Sequence, residues 1–287
     1  MLSRRGVLAA LLAPALAGQE GKPDLFADAE AYQQFMGRWS SRLAPLLVDF
    51  ADFPDEGQIL DVGSGTGVLA FSIAKLKTHC HVLGIDPSKE YVDYANGKNS
   101  YPDRVKFQIG DAQSLQMPDA AFDHALSLLV FNFIPDAAKA LREVSRVTKP
   151  GGRITAAVWD YGEGMGMLRT FWDAAAAVDP AAGKLDEMHM RLSHSGELGE
   201  LWEQCGLLQI AERTLEINML FDSFADYWEP FVHGQGPAGA YVRNASAERR
   251  EALRKELKHQ LALKAEDEPF TLAARAWAVR GVVPDRH

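Results

Sequence analysis

The stretch Ile59-Leu60-Asp61-Val62-Gly63-Ser64-Gly65-Thr66-Gly67 is where this chain is best equipped for chemistry. An apolar run ends in three alternate glycines and passes directly into a helix-forming run from Val68. Glycine suits such a loop because a Cβ would hold a ligand away from the backbone, and because the turn visits positive φ. A helix starting near Val68 offers unpaired N–H groups to an anionic group. A dinucleotide-binding loop reads G-x-G-x-x-G and would need glycine where Val68 stands, so the spacing disfavours a pyrophosphate and a nucleotide-dependent oxidoreductase. Asp61 suits an ammonium group better than a phosphate. Two further aspartates follow at intervals of about 25 residues: Asp86, within Ile85-Asp86-Pro87-Ser88, and Asp111, followed by Ala112. In doubly wound folds the position of Asp86, at the end of the second strand, is where an acid takes both hydroxyls of a ribose.

The elements around these residues supply the necessary scaffold. Gln58–Val62, His81–Ile85, Val105–Ile109, Phe122–Leu129 and Arg153–Trp159 read as buried strands. Val68–Lys77, Lys89–Asn99 and Asp136–Val147 read as the helices between them. That alternation means βαβ units and a parallel sheet, with the three aspartates at strand tips that converge on one crevice. Ahead of it, Asp28–Phe50 predicts two helical pieces broken at Pro45. From Tyr161 the rhythm changes. Met165–Val178, Glu197–Cys205 and Phe224–Phe231 look helical, Leu208–Asn218 and Phe270–Val283 strand-like, and Ala247–Lys264 is a solvated helix. His233–Ala240 is glycine-rich and reads as a mobile loop.

Composition bounds the partners. Of 287 residues, 47 % are hydrophobic and 24 % charged, a globular balance that excludes disorder, collagen and coiled coil. A net charge of −9 argues against a nucleic-acid partner, whose phosphates need a basic face. Cys80 and Cys205 make neither a disulfide framework nor a zinc cluster, and no metal site is legible. Met1–Ala17 places Arg4 and Arg5 before an apolar stretch of about a dozen residues, too short to span a bilayer, and closes on Ala15-Leu16-Ala17. Ser3-Arg4-Arg5 with Val7-Leu8 resembles a twin-arginine export signal, though without a basic residue after the leucine. The reading is export to a bacterial periplasm. The alternatives are a start codon chosen too early, or a helix that stays on a cytoplasmic protein.

On these motifs, Gln58 to Asp160 resembles the class I S-adenosyl-L-methionine-dependent methyltransferases, particularly the small-molecule type related to ubiquinone/menaquinone and sterol C-methyltransferases. Leu141-Arg142-Glu143-Val144 through Pro150-Gly151-Gly152-Arg153 matches the family's helix, turn and fifth strand. The resemblance implies an α/β, doubly wound, mostly parallel seven-stranded sheet, a Rossmann-like methyltransferase fold, with Phe270–Arg280 as its last antiparallel strand. The chain then divides into a signal segment (1–17), an N-terminal helical lid (18–57), a cofactor-binding core (58–160), and cap helices with completing strands of the same domain (161–287). It also implies that Asp61, Gly63, Ser64, Gly65 and Gly67 line the methionine end of S-adenosylmethionine. Asp86, with Pro87 and Ser88, would hold the ribose, and Asp111 and Ala112 the adenine. Leu128 and Leu129 would bring backbone carbonyls near the cofactor. Where family members often have histidines after strand four, this chain has Asn132-Phe133, so no imidazole role transfers.

The implied reaction is methyl transfer to an O, N or C atom of a small, partly apolar acceptor. A sulfonium methyl is already a good electrophile, so the protein's task is alignment and exclusion of water. Aromatic faces attract a sulfonium, by roughly 0.5–2 kcal/mol. Tyr32 is the cofactor-side candidate for this; Phe35, Trp39, Asn132, Trp159 and Tyr161 are the candidates around the acceptor, with core packing the alternative for the aromatics. Asp160, His189 and His194 are the weak candidates for an acid or base, needed only if the nucleophile is protonated. Asp160 could equally cap a helix, and the histidines, with His233, read more readily as surface or packing residues than as acids or bases. The other class of function is an exported or repurposed binding protein that keeps the cofactor without methyl transfer. No nucleic acid and no stable membrane insertion are expected; the sequence leaves oligomeric state and acceptor identity open.

Overall fold

Parallel pairing of short apolar strands builds the centre of the protein. The computed structural model describes residues 33–233 and 236–285. The signal segment, Tyr32 and most of the proposed lid lie outside the described residues. A π-helical turn, Gln33–Gly37, leads into α1 (Arg38–Ala51). The core then runs β1 (Gly57–Val62), α2 (Val68–Leu76), β2 (Cys80–Asp86), α3 (Lys89–Gly97), β3 (Val105–Ile109), β4 (His124–Leu128), α4 (Ala137–Val147) and β5 (Arg153–Trp159). The cap follows with α5 (Gly166–Val178), α6 (Glu197–Gln204), β6 (Leu208–Phe221), α7 (Phe224–Val232), α8 (Gly236–Asn244), α9 (Ala247–Gln260) and β7 (Phe270–Val282).

The seven strands form one sheet in the order β3-β2-β1-β4-β5-β7-β6. β1 pairs in parallel with β2 on one side and β4 on the other, Ile59 facing both Val82 and His124. The order therefore reverses beside β1, and in doubly wound sheets the carboxyl ends of strands at such a point open a crevice. β7 runs antiparallel to β5 and β6, so the end of the chain completes the core's sheet. α4 shows why helices cover its faces: Ala137, Ala140, Leu141, Val144 and Val147 are buried at i, i+3, i+4, i+7 spacing, and Asp136 caps the helix by accepting from Lys139 N at 2.8 Å.

Four expectations about elements are corrected. Pro45 does not divide the N-terminal helix: it lies inside α1 on the exposed face, while Trp39, Leu43 and Leu47 hold the other face in the core. Much of His233–Ala240 is the start of α8, because burial of Ala238, Tyr241 and Val242 overrides the poor helix propensity of glycine. α9 stops at Gln260 and is not wholly solvated, since Leu253 and Leu257 are fully buried. β4 begins at His124; Phe122 makes an isolated bridge to Thr148 instead.

Candidate functional site

Asp61 stands at the tip of β1 and is 1 % exposed. Its Oδ2 accepts from Ala70 N, in the first turn of α2, at 3.0 Å, while its Oδ1 is buried without a hydrogen-bond partner. One of the N–H groups expected to be free at the start of α2 is thus taken by the chain's own carboxyl group. Burial is the largest influence on Asp61 and outweighs the Ala70 N–H; with the charge of Asp86 added, it pushes the carboxyl up to about 8.

The glycine loop is stitched down by its own amides. Gly63 N and Ser64 N both donate to Ile85 O at 2.8 Å, and Gly67 N to Ser64 O at 2.8 Å. Gly65 N donates to Asp86 Oδ2 at 2.9 Å. The three glycines have φ of +71°, +51° and +88°, but for different reasons. A Cβ on Gly63 would lie 2.4 Å from Val130 Cγ1, and one on Gly67 would lie 2.7 Å from the Phe71 ring. A Cβ on Gly65 would meet nothing within 4 Å, because that residue faces open space. Ser64 Oγ is buried and without a partner.

Asp86 sits at the tip of β2, its Oδ1 accepting from Ser88 N at 2.9 Å, which with the Gly65 bond fixes the carboxylate plane. Asp111, beyond β3, is exposed and accepts from Gln113 N at 2.8 Å. On the opposite wall Leu129 takes φ +65°, a left-handed conformation unusual for leucine, with its N–H on Ala157 O at 2.7 Å. Arg191 from the cap clamps the loop that follows, donating to Asn132 O at 3.2 Å and Pro135 O at 2.9 Å.

These groups surround one cavity of about 470 Å³. Such a volume is ordinary for a small-molecule site. Asp61, Gly63, Ser64, Gly65, Asp86 and Pro87 line it, and so do Ser88, Asp111, Ala112, Leu128 and Leu129. Gly67 does not; it serves the packing of the α2 start. Nor do the described acceptor candidates. Phe35, Trp39, Trp159 and Tyr161 are buried instead, where aromatic packing outcompetes exposure to a cavity, Trp39 lying edge-on to Phe221 at 5.2 Å; Asn132 is buried too, with both amide atoms unpartnered. Asp160 is withdrawn as well: Arg275 Nε and Nη2 donate to its Oδ2 at 2.8 and 2.5 Å, and that partner helps hold its carboxyl below the usual range. His189 is exposed and His194 lies beside Glu197, both away from the cavity.

The sequence reading missed Ser40, Tyr91, Gln113 and Phe133 among the lining residues. Gln113 and Tyr91 were within reach of inference, lying two residues after Asp111 and three after the α3 cap Ser88. Ser40 carried no such signal. Among the described residues, no three His, Cys, Asp or Glu side chains gather to hold a metal ion, and no helix is long and apolar enough to cross a membrane.

An open α/β sheet with a 3-2-1-4-5-7-6 order, a glycine turn after its first strand and acids on its next two tips defines a class of nucleoside-binding proteins. Comparison with known proteins makes the class specific. A family described as a methyltransferase domain matches residues 54–196. An uncharacterised methyltransferase, YcgJ of Bacillus subtilis, is 34 % identical over 110 residues, covering 38 % of this chain and 43 % of its own. The 27-O-demethylrifamycin SV methyltransferase of Amycolatopsis mediterranei is 34 % identical over 118 residues, 40 % of this chain and 43 % of its own. The chain thus spans less than half the length of these curated relatives. The crystal structure of the Bacillus YcgJ protein superposes with a TM-score of 0.55 at 21 % identity, over 85 % of this chain and 99 % of that one, which extends the shared fold beyond the matched segment. Through residues 54–196 the chain belongs to the class I S-adenosylmethionine-dependent methyltransferases.

Proposed function

We propose that this protein moves a methyl group from S-adenosylmethionine to an O, N or C atom of a small, partly apolar acceptor. The observation that carries the reading is the convergence of Asp61, Asp86 and Asp111, from three successive strands, on one cavity floored by glycines. The fit to the cofactor rests on two buried polar atoms without partners, Asp61 Oδ1 and Ser64 Oγ, and on the open space in front of Gly65. Asp61 binds the ammonium group of the methionine end, and that cation restores the charged carboxylate that burial disfavours. Asp86 accepts the ribose hydroxyls; its two backbone bonds hold it in place beforehand, and each carboxylate oxygen accepts more than one bond. Asp111 accepts from the adenine amine, beside Ala112, and Leu128 and Leu129 form the wall near the sulfur.

When bound, the cofactor supplies a sulfonium methyl that needs no activation. The chain's residues bring the acceptor in line and keep water out. The core 58–160 and the cap form a single functional domain in this reading, supported by β6 and β7 completing the core's sheet. Met1–Ala17 acts as an export signal, supported by its paired arginines and Ala-Leu-Ala ending. Sequencing the N-terminus of protein from its native host tests that, and an intact start overturns it.

Calorimetry tests the site. S-adenosylmethionine and S-adenosylhomocysteine bind, and Asp86→Ala weakens S-adenosylhomocysteine about 100-fold or more, the loss expected for two or more hydrogen bonds to a charged group. Equal binding by the variant overturns the site. Release of S-adenosylhomocysteine over an acceptor library tests the reaction. Tight cofactor binding with no product from any acceptor would leave a binding protein, not an enzyme.

A further inference from the structure

We propose that the acceptor at this site is not an anion and that it presents an O–H or N–H donor to Ser40. The inference rests on the methyl-transfer reading above and narrows its substrate class. Two independent observations carry it.

The first is charge. The charged side chains lining the cavity are Asp61, Asp86 and Asp111, and among the described residues no Lys, Arg or His lines it. The guanidinium that reaches its edge is engaged: Arg191 holds the carbonyls of Asn132 and Pro135. The remaining wall is largely apolar, with Leu69, Leu128, Leu129, Val130 and Phe133. With the cofactor covering the three acids, a carboxylate or phosphate seated against this remaining wall would lose water and gain no counter-charge from the described side chains.

The second is Ser40. It is the residue that α1 contributes to the cavity, and it is 4 % exposed. Its Oγ donates to Met36 O at 3.1 Å, so the hydroxyl proton is committed and lone pairs are what it offers a ligand. A π-turn immediately before α1 changes the rotation with which the helix enters, and such turns recur at functional sites. Phe35 and Trp39 pack into the core, and Ser40 faces the cavity. An acceptor-only hydroxyl in an apolar wall selects a ligand that brings a donor.

Three matched rings test the proposal on protein saturated with S-adenosylhomocysteine: phenol, benzylamine and benzoate, with anisole as the phenol lacking its donor. Binding is read by calorimetry and by saturation-transfer NMR. Phenol or benzylamine should bind at least about tenfold more tightly than benzoate. Anisole should bind about tenfold more weakly than phenol to the unmodified protein. Ser40→Ala should remove most of that difference and Ser40→Thr should restore it, with thermal melts confirming that both variants are folded. Benzoate binding as well as phenol, no ring binding at millimolar concentration, or a phenol-to-anisole ratio unmoved by Ser40→Ala each overturns the proposal. Failure to bind S-adenosylhomocysteine at all overturns the reading beneath it, so the two failures are distinguishable.

Discussion

The cavity edge and the cap treat their acids in opposite ways. In the cap, Asp186 accepts from Arg169 at 2.8 Å, Asp179 pairs with Arg249 at 3.1 Å, and Asp160 at the junction is held by Arg275. Between those pairs the cap is filled by aromatics such as Phe171 and Phe231, stacked at 4.5 Å, and by Tyr227, whose hydroxyl donates to Met167 O at 2.9 Å. At the cavity edge Asp61, Asp86 and Asp111 converge with no basic side chain among the described residues lining the space between them, and Asp61 and Ser64 keep buried atoms without partners. A folded chain tolerates such unmet polarity where a ligand completes it. The proposed chemistry sits at that edge, whereas no described cap residue lines the cavity and Arg191 supports it only through the carbonyls of Asn132 and Pro135.

The comparison is broken most directly at two glycines two residues apart. Gly63→Ala drives a Cβ to 2.4 Å from Val130 at φ +71°, so left-handed strain and overpacking act together. Their combined cost is about 2–4 kcal/mol. Gly65→Ala, at φ +51° with open space before it, carries the conformational cost alone, about 1–2 kcal/mol, but places a methyl in the cavity. The expected outcome is a large fall in Tm with Gly63→Ala. Gly65→Ala gives a smaller fall in Tm and a marked loss of S-adenosylhomocysteine affinity. Equal destabilisation with equal affinity would show that the loop is only a turn.

The two regions also differ in the sign of their pH dependence. An unfolded aspartate titrates near 3.9. In the folded chain Asp61 keeps its proton to about 8. Between those values the unfolded chain releases a proton that the folded one retains, so stability falls as pH rises through that window and levels off above it. Asp160 has the opposite sense: its depressed value contributes stability above the unfolded pKa, lost as pH falls through the folded one. Asp61→Asn should raise the Tm of the ligand-free protein at pH 7.5 and flatten the decline from pH 5 to 8. It should also weaken ligand binding. Calorimetry in two buffers of different ionisation enthalpy should show about one proton released per S-adenosylhomocysteine bound to the unmodified protein near pH 7. A variant that keeps the wild-type slope would place the titrating group elsewhere.

How much was legible follows from how local each feature is. The five parallel strands and the three acids could be read because period and spacing carry them: each aspartate lies at or just beyond the tip of its strand, and parallel pairing brings the tips together. The direction of the helix-start interaction was not legible. The loop reads as a cradle of free amides, but Gly63, Ser64 and Gly67 N–H groups are bonded internally and Asp61 caps α2. Around the acceptor the reading failed because aromatic residues are equally at home in a core, and a π-turn leaves no mark in the residue pattern by which to choose Ser40 over Phe35 or Trp39. The glycines around α8 suggested a loop, and only tertiary burial makes them helical.

Asp160 is the sharpest instance, since its position just after β5 suits an acid or base and its partner Arg275 lies 115 residues away. Asp160 is 4 % exposed at its side chain and Arg275 31 %, so the pair is buried on one side and wet on the other. Removing the guanidinium leaves a carboxylate held by backbone N–H groups, including Glu163 N at 3.0 Å. Arg275→Met should therefore cost about 1–2 kcal/mol, less than a fully buried pair because water still screens one side. Urea denaturation reads that cost, and Asp160→Asn in the same background should recover part of it. Affinity for S-adenosylhomocysteine should stay within about twofold throughout, because neither residue lines the cavity. If Asp160→Asn alone leaves stability intact but abolishes turnover, the ion pair is catalytic furniture and the division between a reactive edge and a packed cap fails at this residue.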